Sequence, residues 1–307
     1  MCCLQGIMQH TYLIRRGASL LLVASALHTA AWSIVRRHDR DDLDYITLAG
    51  QPPFAGVGKL TFGSAYGSGT VIADGSWVLT AAHVVDFGAP SEWLFVLGTN
   101  TYSVAAIILH PNWTGDIANG HDIALVKLNS IVSGVLPAQI YTGDPNNLLG
   151  AVGYSVGYGG NGDGLTGYTD FDDNARAMEN VIDAFVGDVF LSDFDHPDGT
   201  TNALESFGSD ANPLYLEGMG APGDSGGPVF VVDANYSSWY IAGVHSFIED
   251  VGPPIGNQDP DARYGDILGS TRVDLYADWI NSTVPEPASM TALAVGLVGM
   301  LARRRRR

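Results

Sequence analysis

Gly223-Asp224-Ser225-Gly226-Gly227-Pro228-Val229 decides how the rest of the sequence is read. A serine flanked by glycines sits where the backbone can turn sharply with no Cβ in the way. Consecutive N–H groups can then converge beside the hydroxyl. A serine hydroxyl alone is a weak nucleophile; it needs a base within hydrogen-bond reach, held in turn by a third group. Two upstream stretches carry those residue types. Leu79-Thr80-Ala81-Ala82-His83 offers an imidazole after an apolar run, and neutral imidazole suits a base near pH 7. His121-Asp122-Ile123-Ala124-Leu125 offers a carboxylate among apolar neighbours. An unpaired charge there is costly, and pairing to the second nitrogen of a histidine accounts for it.

His83, Asp122 and Ser225 follow one another in the chymotrypsin-type order, not the subtilisin or α/β-hydrolase order. On these three motifs the sequence resembles the trypsin/chymotrypsin family of serine proteases, of a bacterial, disulfide-free kind. Supporting runs are His110-Pro111-Asn112-Trp113 before the aspartate and Ala151–Gly159, similar to the strand that opens the family's second half. The resemblance covers about residues 34–282. It implies an all-β fold of two six-stranded antiparallel β-barrels (chymotrypsin-like) with a short C-terminal helix, the active site lying between the barrels. It also implies a secreted serine endopeptidase acting on protein or peptide substrates through an acyl-enzyme. His83, Asp122 and Ser225 would be catalytic, and the N–H groups of Gly223 and Ser225 would form the oxyanion hole.

Further roles follow from the same resemblance. Ser246 would border the triad aspartate and the substrate strand, with its neighbour His245 structural. Met219, six residues before the nucleophile, would floor the primary pocket, and Ile248 would stand on its wall. A thioether cannot pair with Arg or Lys, and a branched wall narrows the opening, so cleavage after small or medium apolar residues is expected. Glu217, two residues further back, is the acidic group that a loop shift would bring in. Asp224 would pair with a freed N-terminal ammonium. The sequence departs from the family here: it reads Ile34-Val35-Arg36-Arg37, preceded by Ala31-Trp32-Ser33, with no basic cleavage site. Signal peptidase acting after Ser33 would release Ile34 directly. Without such a partner for Asp224, the alternative is a catalytically silent trypsin-fold module that binds a surface or matrix.

Composition sets the outer limits. The 307 residues include 38 glycines, and few segments repeat apolar residues at helical spacing, which suits a turn-rich all-β protein. Between residues 17 and 284 there are 8 basic and 32 acidic side chains, a balance of −24. Such a surface repels DNA, RNA and anionic lipid, so nucleic-acid binding is disfavoured. The two cysteines are Cys2 and Cys3, so thiol catalysis and a Cys-ligated zinc are excluded from the body. No metal is assigned to the catalytic site. Asp193, Asp195 and Asp198 with Gly199 form the one calcium candidate, without the spacing of an EF-hand loop.

Arg15-Arg16 and the apolar run Leu20–Leu27 before Thr29, Ala30 and Ala31 read as a signal peptide over residues 1–31, exported by the Sec route. The protease domain is expected over 32–283. Its barrels fall at about 34–145 and 146–268, and a closing helix at 270–281. Asp39–Asp44, Gly160–Asn174 and Asp188–Asn202 read as surface segments or loops. Val284-Pro285-Glu286-Pro287, the apolar Ala288–Ala302 and Arg303–Arg307 make a separate segment, 284–307. Fifteen helical residues reach about 22 Å, short of a roughly 30 Å hydrocarbon core. Pro-Glu-Pro, the short span and the basic end resemble a PEP-CTERM-type sorting tail. That implies an exosortase-type processing enzyme as partner, membrane contact only through this tail, and a bacterial cell envelope, surface or matrix location.

Overall fold

In the computed structural model of the chain, the structure describes residues 33–233, 237–251 and 261–284. The first half closes on itself. Val57–Phe62, Ala65–Ile72, Trp77–Thr80, Ala124–Leu128, Asn100–Leu109 and Leu94–Leu97 pair in that order, and the last returns to the first. Closure removes the unpaired edges that an open sheet would present. The hairpin at Ala73–Ser76 works as its residues suggest: Asp74 Oδ1 accepts the Ser76 N–H at 2.9 Å, and Gly75 takes a positive φ of 83°. Inside lie Leu60, Val71, Val78, Leu79, Phe95 and Leu125, each buried to 1% exposure or less.

Among the described residues the second half pairs as an eight-stranded sheet. Arg176–Val181, Val152–Gly157, Pro228–Val232, Trp239–Glu249, Ile267–Arg272, Val189–Asp193 and Ala184–Val186 follow one another, and Gln139–Ile140 joins Trp239–Glu249 in parallel. A separate four-stranded sheet carries Gly167–Asp170, Asn161–Asp163, Val35–Arg36 and Gly218–Met219. The chain's early residues are thus built into the second half, where Ile34, Val35, Met219 and Leu268 share one apolar cluster.

Four expectations change. Asp42–Ala49 is a helix, and its Asp42 pairs with the buried Arg176 at 2.6 Å. Gly160–Asn174 contains the paired strands Asn161–Asp163 and Gly167–Asp170, and Asp188–Asn202 begins with the strand Val189–Asp193. The closing helix is Ala277–Thr283, because Ser270, Thr271 and Arg272 still pair with the strand Trp239–Glu249 and a 3-10 turn follows. Among the described residues no helix is long and apolar enough to cross a membrane. The leader and the tail beyond Val284 lie outside the described residues.

Candidate active site

The Trp77–Thr80 strand ends in a one-turn helix, Ala82–Val85, that carries His83. Ala81 and Ala82 are fully buried. The fit is tight at Thr80: its hydroxyl would lie 2.1 Å from a Cβ at Gly226, so the glycine after the serine is sterically required. Asp122, 1% exposed, accepts the His83 backbone N–H at 2.9 Å through Oδ1. Its Oδ2 lies 2.7 Å from His83 Nδ1 and takes the Ser246 hydroxyl at 2.5 Å. A carboxylate only accepts, so Nδ1 carries the ring proton and Nε2 carries the lone pair.

Ser225 joins this pair through its backbone. Its carbonyl accepts the Ser68 N–H at 2.7 Å, and the next residue, Gly226, donates to His245 C=O at 2.8 Å, one residue from Ser246. The Ser225 hydroxyl makes no hydrogen bond to His83 among the described residues; nucleophile–base contacts often tighten only with substrate bound. Gly223 has φ +100°, and its C=O accepts the Ser68 hydroxyl at 3.0 Å. Among the described residues the N–H groups of Gly223 and Ser225 have no protein acceptor. Two unused donors beside a serine hydroxyl are what an oxyanion requires.

Asp224 turns the other way, into the interior. Oδ2 accepts the Ala221 N–H at 2.8 Å and the Ile34 N–H at 3.1 Å, and Oδ1 accepts the Gly159 N–H at 2.6 Å. Burial raises its pKa to about 7, against the pull of the Ala221 and Ile34 N–H groups and of Arg176. Ile34 itself has φ +53°, and Ser33 before it is fully buried. His245 is buried too, with Nδ1 3.1 Å from the Ser270 hydroxyl, and burial lowers its pKa to about 4, leaving it neutral.

The pocket beside Ser225 encloses only about 20 Å³ and is lined by Ala221, Ser246, Ile248 and Leu268, among others. Met219 is absent from that lining. It is fully buried, its strand pairs with Val35, and it packs in one apolar cluster with Ala221, Ile248 and Leu268. Leu268, which sequence reading missed, takes the place across from Ile248; only the pairing of Ile248 with Leu268 on adjacent strands reveals it. Glu217 also points away, accepting the N–H groups of Asp195 and Leu214 at 2.8 Å each. A larger cleft of about 490 Å³ lies alongside, lined by Ile117, Val186, Phe247 and Glu249.

The three calcium candidates do not converge. Asp198 is exposed and bonded to His196 and Thr200, while Asp193 and Asp195 are buried. Among the described residues the carboxylates that do converge are Asp250, Asp261 and Asp266, within 4.8 Å of one another, and Arg263 pairs with Asp261 at 2.7 Å.

A family model described as Trypsin matches residues 49–176, and one described as PEP-CTERM protein-sorting motif matches residues 283–307. The chain is 31% identical over 243 residues to chymotrypsin-like elastase family member 1 of Macaca fascicularis, covering 70% of this chain and 77% of that protein. Against the Homo sapiens protein of the same name the identity is 30% over 243 residues, covering 70% and 80%. The Bos taurus protein is 29% identical over 241 residues, covering 70% and 77%.

Proposed function

The chain belongs to the trypsin family of serine proteases, and from that premise we propose that it is an exported endopeptidase working through His83, Asp122 and Ser225. The observation that carries the reading is the buried Asp122 carboxylate on His83 Nδ1 at 2.7 Å, with two unused N–H donors beside Ser225. In the forward step His83 Nε2 takes the Ser225 proton as the hydroxyl oxygen attacks the peptide carbonyl. Asp122 holds the ring and stabilises the imidazolium that forms. The N–H groups of Gly223 and Ser225 receive the oxyanion. His83 then gives its proton to the leaving amine, and water repeats the sequence on the acyl-enzyme.

A pocket of about 20 Å³ holds little more than a water, so the residue before the scissile bond is small and apolar, not Arg or Lys. The neighbouring apolar cleft would take residues further back on the substrate. Activation would come from release of Ile34, whose ammonium would replace the amide N–H now on Asp224. The PEP-CTERM motif points to export and cell-envelope association in a bacterium. We assign residues 1–31 as a Sec signal peptide, 32–283 as the protease domain and 284–307 as the segment cut by an exosortase-type enzyme. Structural calcium is left out of this reading, since Asp193, Asp195 and Asp198 do not meet.

A second reading, a catalytically silent module that binds a surface or matrix, draws on one observation: the same small pocket leaves almost no room for a side chain. Digestion of a peptide library by the purified protein and by Ser225→Ala separates the two. Cleavage after Gly or Ala, lost in the variant, supports the protease. A folded wild type without cleavage, whether or not it begins at Ile34, favours the binding module.

A further inference from the structure

Asp122 sits in an unusual piece of backbone. Gly120 has φ +72° and His121 has φ +61°, and the Ile123 N–H donates to His121 C=O at 2.8 Å, so that Asp122 is the centre of a three-residue turn. A left-handed histidine is strained, and such strain persists where the surroundings over-determine it. The second half supplies that constraint. Asp188, in the turn between Ala184–Val186 and Val189–Asp193, accepts the His121 N–H through Oδ2 at 2.6 Å. The same oxygen accepts the Tyr276 hydroxyl at 2.5 Å. The phenol's one proton goes to Asp188, so its oxygen accepts from His121 Nδ1 at 3.0 Å. A Cβ at Gly120 would meet the Asp188 oxygens at 2.6 and 2.8 Å, so the carboxylate comes this close only over a glycine.

The same bridge holds Asp122 from behind. Asp188 C=O accepts the Arg272 N–H at 2.9 Å, and the residue before, Thr271, donates its hydroxyl to Asp122 C=O at 3.0 Å. The other titratable rings on the network are His110, stacked on His121 at 5.1 Å, and Tyr276. Burial and the neighbouring His121 lower the His110 pKa, and burial with Asp188 raises that of Tyr276, so both rings stay neutral near pH 7.

We infer that Asp188, seconded by Tyr276, is a positioning residue for Asp122: it holds the strained His121 peptide so that the next carboxylate meets His83 squarely. The inference rests on the triad reading of His83, Asp122 and Ser225. Asp188 touches no reacting atom and acts only through the backbone. Loosening it would leave Asp122 poorly aimed, the His83 tautomer less fixed and the imidazolium less stabilised.

The test is the titration of His83 in the full-length protein, followed by NMR of labelled histidine and assigned with His83→Gln. It needs no catalysis. Asp188→Ala should move the His83 midpoint to lower pH, a rise of about threefold or more in its acid dissociation constant. Turnover per active site should fall about tenfold or more. Asp188→Asn removes the same charge but keeps an acceptor, so partial recovery separates geometry from charge. If Asp188→Ala does not fold, Tyr276→Phe carries the same measurement, with a smaller shift in the same direction. A folded variant with lowered Tm and an unchanged His83 midpoint would overturn the inference and leave Asp188 a mere tie between the halves. A His83 midpoint that responds to Asp188→Ala in a protein that hydrolyses nothing would leave the inference standing and sink the endopeptidase reading.

Discussion

The Ile34 backbone nitrogen lies 3.1 Å from Asp224 Oδ2, across 190 positions of sequence, in a site where Asp224 is 1% exposed. A carboxylate buried this deeply costs free energy unless it is paired. In the uncut chain its donors are neutral amides, and its pKa rises to about 7. A chain beginning at Ile34 would place an ammonium there instead. One turn thus links N-terminal processing to the shape of the Gly223–Ser225 backbone.

Protein that begins at Ile34 should therefore be far more active than protein that begins earlier, and Asp224→Asn should cost about 10²-fold or more in kcat/KM, as breaking a buried pair does. The ammonium has a raised pKa when paired, so its contribution is complete below about 7.7–8.0 and is lost as pH rises through the folded value. Activity of the processed form should fall on the alkaline side, together with loss of the Ile34 proton. N-terminal mass spectrometry beside a pH–rate profile checks this; full activity from an extended N-terminus would contradict it.

Stability of the uncut chain should fall as pH rises from 5 to 8. Burial raises Asp183 to about 7, Asp195 to about 8 and Glu217 to about 7, with Asp193 adding to each, and Asp224 behaves alike. Such groups hold their protons more tightly when folded, so their favourable contribution is present at low pH. It is lost as pH passes from about 4 through those folded values. Asp195 Oδ1 is buried with no hydrogen-bond partner, so Asp195→Asn should raise Tm by about 2–4 °C at pH 8 and by less at pH 5. Calorimetry at the two pH values decides it, and a Tm higher at pH 8 than at pH 5 in the wild type would count against this.

Pocket size should be tunable at two positions. Ile248→Gly or Leu268→Ala should open the site beside Ser225 and shift cleavage toward larger apolar residues, by about 1–3 kcal/mol in relative kcat/KM per methylene accommodated. Met219→Ala should lower stability, as a buried cavity does, and leave the cleavage preference alone. Profiling on peptide libraries reads both, and cleavage after Arg or Lys by the wild type would refute the pocket assignment.

Ser246→Ala removes the hydroxyl that donates to Asp122 Oδ2 and should lower kcat by about tenfold, the worth of one hydrogen bond to a charged group. KM should change little. Steady-state kinetics on a small apolar substrate tests this, and an unaltered kcat would remove Ser246 from the site.

The parts of this protein legible in the sequence are those written in adjacent residues. His83 after its alanines, Asp122 just before its apolar strand and Ser225 among glycines each announce a local geometry, and so does the Ala73–Ser76 turn. The parts that escaped depend on distant pairing. In sequence Asp42 is one of many surface acids and Asp188 the start of a loop; in the fold Asp42 meets Arg176 and Asp188 meets the His121 N–H. Leu268 is an ordinary strand leucine until the neighbouring strand sets it against Ile248. Met219 is reached by counting back from Ser225, and counting cannot see that its strand pairs with Val35.

The proposed nucleophile is Ser225, made reactive by His83 and Asp122. A fluorophosphonate probe followed by intact mass and peptide mapping tests it most directly, on the protein beginning at Ile34 and on His83→Ala and Ser225→Ala. Close to one label per wild-type molecule is expected, located on Ser225, with loss of labelling in both variants. A folded wild type that takes no label, or one that labels equally without His83, would contradict it.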